Sequence, residues 1–178
     1  MNTKNRKGFT LVELIIVIAV IAVLAGAIFV AIDPARRLHE ARNAQRWSDV
    51  TTMLDAVVKY QADNSGTHLT AIANMTADRY VIIGTTEDDQ TLCAEETSAA
   101  DACANGTGGG GTTDCIDLSD LGSNYLATVP YDPLNGSAAD TSYYIGKDSN
   151  GAITIGSCDE EGEDAGGTGT PPTIELTR

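Results

Sequence analysis

Glu13 is the residue whose chemistry stands apart from its surroundings. From Phe9 to Ile32 the side chains are apolar apart from Thr10 and Glu13. A carboxylate in such a run costs about 2.5–3.5 kcal/mol at the centre of a bilayer, less near its edge, and calls for a partner. The nearest candidate cation is an α-ammonium, created if the chain is cut just before Phe9. Gly8 suits such a cut, because its missing side chain lets a protease approach the Gly8–Phe9 bond closely. An ammonium and a carboxylate in lipid are each costly alone, and pairing them lowers both costs.

The other reactive residue types form no comparable arrangement. His39 and His68 form no recognisable nucleophile–base pattern with the Ser or Cys residues, so spacing gives no support to an enzyme. Cys93, Cys103, Cys115 and Cys158 contain no C-x-x-C pair and have no histidine nearby, which argues against zinc. An even count in an exported domain points to disulfides, with three possible connectivities. The favoured pairing is Cys93–Cys103 with Cys115–Cys158. Cys93–Cys115 with Cys103–Cys158 stays open, as does a reduced state. Asp159, Glu160, Glu161 and Asp164 offer carboxylate oxygens to calcium, against the plainer reading of a solvated acidic tail. Gly106–Gly111 lacks the Lys-Ser/Thr of a phosphate loop and reads as a surface loop.

The elements that position Glu13 follow from composition. Phe9 to Ile32 as a helix spans ~36 Å, enough to cross a hydrocarbon core of ~30 Å. Lys4, Arg6 and Lys7 precede this run and Asp33 follows it, which holds the amino terminus in the cytoplasm and sends the remainder outward. A cleaved secretory signal has a shorter apolar core of about 7–15 residues. A plain membrane anchor fits the length but leaves Glu13 unexplained.

Lys7-Gly8-Phe9-Thr10-Leu11-Val12-Glu13-Leu14, with the basic leader before it and the apolar stretch after it, resembles the type IV prepilin leader, or class III signal sequence. The resemblance covers residues 1 to about 32. It implies that a membrane aspartyl peptidase cuts between Gly8 and Phe9 and methylates the new Phe9 amine. It also implies that Glu13 neutralises the amine of a neighbouring copy during assembly. Further partners implied are a platform membrane protein and an assembly ATPase. The chain would then sit in the inner or cytoplasmic membrane before assembly and in an extracellular filament after it. The alternatives are a pseudopilin of a type II secretion or DNA-uptake machine, or a membrane-anchored surface binding module.

The rest of the chain reads as an α+β, pilin-like molecule: leader 1–8, membrane and filament-core helix 9–32, amphipathic continuation 33–64, and head 65–178. The helix either runs on with a kink at residues 30–34, or ends and restarts with Asp33 as N-cap to a helix opening on Pro34. Gly26 is a second weak point. Ala35, Leu38, Ala41, Trp47, Val50, Leu54, Val57 and Val58 recur at helical steps and form an apolar stripe, stopped at Asn64-Ser65-Gly66. Arg36, Arg37, Arg42 and Arg46 form either a solvated face near head groups or pairs with the acidic heads of other copies.

Strands are expected at Tyr80–Ile83, Tyr143–Ile145, Ala152–Ile155 and Thr173–Thr177, with a hairpin at Asp148-Ser149-Asn150-Gly151. Ile116, Leu118 and Leu121 mark a short helix or turn. The head is thus a small antiparallel sheet wrapped on the outer half of the long helix. Val129-Pro130-Tyr131-Asp132-Pro133-Leu134-Asn135-Gly136 before Tyr143-Tyr144-Ile145 also resembles pilin and pseudopilin heads.

Charge agrees with an exposed head. Formal net charge is −14. From Phe9 on there are eight basic residues, 11 less the three before the junction, against 25 acids, a net of −17. So acidic a surface repels phosphates, and direct nucleic-acid binding is not expected.

Overall fold

A computed structural model describes residues 8–84, 95–106, 116–138, 140–162 and 169–178. The leader's Lys4, Arg6 and Lys7, the cysteines Cys93 and Cys115, Asp164, and the glycine-rich loop beyond Gly106 lie outside the described residues.

Helix α1 spans Leu11–Ile32 and α2 spans Pro34–Asp63. The helix passes intact through Gly26, so that weak point is not used. It breaks at Asp33, which takes a left-handed conformation (φ 45°, ψ 76°) and whose carboxylate accepts the Arg36 N–H. Pro34 follows at the first helical position, where its missing donor costs nothing. Of the two readings of Asp33-Pro34, the capped restart is the one the chain adopts. Helix α2 stops where expected, as Gly66 (φ 84°) sends its N–H back to Gln61 O at 2.7 Å.

The head holds five strands in the order β2-β1-β3-β4-β5: β1 Arg79–Gly84, β2 Ile116–Asp117, β3 Tyr143–Lys147, β4 Ile153–Ser157 and β5 Glu175–Thr177. Short helices α3 (Thr70–Asn74), α4 (Ala99–Gly106) and α5 (Gly122–Tyr125) fill the connections. The β3–β4 hairpin forms as read. Asp148 Oδ1 accepts from the Asn150 and Ala152 N–H groups, and Gly151 supplies φ 88°.

The sheet is mixed, which corrects the wholly antiparallel expectation. Strands β1 and β2 run parallel, pairing Ile83 with Ile116. A parallel pair needs a crossover, and α4 lies between them in sequence and packs against β1 and β3. Neither β2, only two residues long, nor α4 announces itself in the hydrophobic pattern.

The core lies between α2 and one sheet face. Val50, Met53, Leu54 and Val57 pack with Ile72, Val81, Ile83, Ile116, Leu118, Ile145, Ile153, Ile155 and Ile174. Each such side chain contributes about 1.5–3 kcal/mol through burial. Only the outer half of the expected stripe is used: Leu38 and Trp47 remain 58% and 38% exposed.

The described disulfide joins Cys103 of α4 to Cys158 just after β4, with Cα atoms 5.3 Å apart across 55 residues. This overturns both favoured pairings, Cys93–Cys103 and Cys115–Cys158, and agrees with the Cys103–Cys158 bond of the alternative left open. The crossing of α4 over the sheet brings Cys103 to the end of β4, which sequence separation does not reveal. By the chain-entropy model a loop of this size is worth about 4 kcal/mol. Cys103→Ser with Cys158→Ser should therefore lower the head's midpoint by more than about 10 °C in a near-ultraviolet melt. An unchanged melt would count against the bond.

Candidate processing and assembly site

The amino-terminal site is built by the first turn of α1. Phe9 is 93% exposed, and nothing lies within 4 Å of the place a Cβ on Gly8 would take. The junction is thus open to an incoming protease. Thr10 caps α1 in an extended conformation (φ −83°, ψ 151°). Its hydroxyl accepts the Glu13 N–H at 3.2 Å, while Glu13 Oε2 accepts the Thr10 N–H and the Thr10 hydroxyl, each at 2.9 Å. This reciprocal capping box satisfies two donors that a helix start leaves bare. Thr10-x-x-Glu13 is its plain sequence signal, overshadowed by the question of how an acid enters lipid. Glu13 accordingly has a partner in its own chain, and an ammonium at Phe9 would add a second.

Helix α1 has no buried residue. Leu11, Ile15, Ile18, Ile21, Val23 and Phe29 are all at least half exposed. It is long and apolar enough to cross a membrane. Aqueous exposure of so much apolar surface is untenable, so lipid or other protein must cover it.

A second polar site fastens α2 to the head. Arg46 is fully buried and forks onto Asp132, Nε to Oδ2 at 2.5 Å and Nη2 to Oδ1 at 3.2 Å. Its Nη1 also donates to Asn43 Oδ1 at 2.9 Å and Glu161 Oε2 at 3.0 Å. Arg42 donates to both carboxylate oxygens of Glu161. Asn43 brackets the backbone of Glu161, giving its Nδ2–H to the carbonyl at 2.7 Å and accepting the N–H at 3.1 Å. Hydrogen bonds from Arg42 above all, then from Arg46, outweigh burial and hold the Glu161 carboxyl at about 2. Asp132 is fixed from below by the Leu134 and Asn135 N–H groups. Gly136 closes that turn so tightly that a Cβ would lie 2.2 Å from Asp132 N.

These contacts remove Arg42 and Arg46 from the solvated face, while Arg36 and Arg37 stay on it. Arg42 and Arg46 serve their own head, and Arg36 and Arg37 pair with Glu40 one turn along α2, at 2.9 and 2.8 Å. Nearby, Tyr143 donates its hydroxyl to Asp49 at 2.9 Å, and burial pushes the Asp49 carboxyl up.

The three described calcium candidates, Asp159, Glu160 and Glu161, are engaged separately. Glu161 is held by two guanidiniums, and Glu160 accepts the Ile174 N–H at 3.3 Å, its carboxyl pushed up by burial. Asp159 has a buried Oδ2 without a hydrogen-bond partner. Among the described residues no three His, Cys, Asp or Glu side chains converge to hold a metal ion.

Residues 3–29 match the family model of the prokaryotic N-terminal methylation motif, the hallmark of type IV pilins and pseudopilins. Neither the curated proteins nor the solved structures contain a match to this chain.

Proposed function

We propose that this chain, which carries the prokaryotic N-terminal methylation motif, is the precursor of a structural subunit of a type IV pilus-like filament. A prepilin peptidase cuts it between Gly8 and Phe9 and methylates the Phe9 amine. The platform protein and ATPase then drive polymerisation through α1, with the head carried outside the cytoplasm. The observation that carries this reading is an apolar helix with no residue buried, headed by that motif and by Glu13. In the membrane, lipid covers α1. In a filament, other copies of α1 replace the lipid, and Glu13 of one copy meets the Phe9 ammonium of the next. The role is structural, and the motif alone is shared with pseudopilins of secretion machines.

Mass spectrometry of the chain isolated from its own cells tests the pathway. The expected product begins at Phe9 and carries one methyl group on the amine. A functional product that retains residues 1–8 would overturn the reading.

A further inference from the structure

Helix α2 is held to the head in two different ways. From Val50 onward every buried residue of α2 is apolar, and polar contacts (Asp55–Arg178, Gln61–His68) stay at its exposed or part-buried edges. Before Val50 the buried residues of α2 are Asn43 and Arg46, both polar. Every described hydrogen bond or ion pair between residues 34–45 and the head ends on Glu161: two from Arg42, two with the Asn43 side chain, and the His39 approach at 3.5 Å. Glu161 sits three residues beyond Cys158, whose disulfide to Cys103 ties this turn to α4.

Such a polar fastening opens more readily than the packed stretch beyond it. Buried charges regain hydration on release, which offsets much of the lost attraction, whereas uncovered Val and Leu regain nothing. His39 Nδ1 is buried without a hydrogen-bond partner and would gain water. Once undocked, residues 34–45 are the unsupported first turns of α2, open to fraying from the Asp33 break.

We propose that Glu161 is a latch that docks the membrane-proximal end of α2 on the head and so sets the direction in which α1 leaves it. With the latch closed, the swivel lies at Asp33. With it open, residues 34–45 are free to fray and the swivel spreads from Asp33 toward Arg46. This holds whether or not the chain builds filaments.

Amide hydrogen exchange on the full chain in detergent micelles tests it, using Glu161→Gln, which removes the charge at constant size. Arg42→Gln is the second variant, altered at a partner that is 25% exposed. Amides of residues 36–45 should exchange at least ~10-fold faster in both, while those of residues 53–60 and of β3 and β4 keep their rates. Unchanged exchange in 36–45 would overturn the proposal. Equal acceleration of 36–45 and 53–60 in Arg42→Gln would overturn it too, because the network would then be a general stabiliser.

Discussion

Glu13→Gln is expected to reduce filament yield at least ~10-fold while the chain stays in the membrane with its head folded, the outcome expected when a buried ion pair loses one partner. Gln can replace Glu in a capping box, so this variant keeps the Thr10 contacts and removes only the charge. Glu13→Ala removes both, with a further helix-start cost of about 0.5–2 kcal/mol. The pair of variants separates two roles that the geometry superimposes on one carboxylate. If filaments, sedimented and counted by electron microscopy, are lost in both, the charge is what assembly uses. If Glu13→Gln assembles like the parent and Glu13→Ala does not, the cap is what matters, and pairing with the neighbour's ammonium is wrong.

Arg46→Ala should be the most damaging single change in the head. It leaves Asp132, whose side chain is fully buried, without its cation. Removing one member of a buried pair costs about 3–5 kcal/mol, a large share of a small domain's stability. Denaturant unfolding of the full chain, followed by near-ultraviolet dichroism, measures the loss. Asp132→Asn should also destabilise, because its one amide oxygen can keep the Leu134 and Asn135 N–H groups and Arg46 Nη2 but its NH2 then faces the Arg46 Nε–H, donor against donor. A double-mutant cycle between Arg46 and Asp132 should give a coupling of 1 kcal/mol or more, by analogy with other directly contacting pairs at about 0.5–3 kcal/mol. Additive single effects would show that the pair is not the fastening described above.

What could be read without coordinates was what is local. The methylation motif, the apolar run, the break at Asp33-Pro34, the Gly66 stop and the Asn150-Gly151 hairpin each rest on neighbours within a few residues. The long-range pairings were not legible. Arg46 meets Asp132 across 86 residues and Glu161 across 115, and nothing in an exposed-looking run of arginines marks one of them as buried. The choice between the disulfide connectivities was not legible for the same reason, since α4 decides which sulfur meets which. The inner half of the apolar stripe failed differently. Helical spacing places Leu38 and Trp47 near the packed face, but the head does not reach far enough down α2 to cover them. Thr10-x-x-Glu13 is a local signal of the same kind as the Gly66 stop.

The sheet's borders bear on how copies of this molecule can meet. Among the described residues its outermost strands are β2, with two residues, and β5, with three. So few free backbone rungs give little template for recruiting a strand from another copy, the route by which longer edges seed amyloid. Growth of any polymer from this subunit is thereby steered away from cross-β stacking, and a head exposed at high local density gains protection against irreversible clumping.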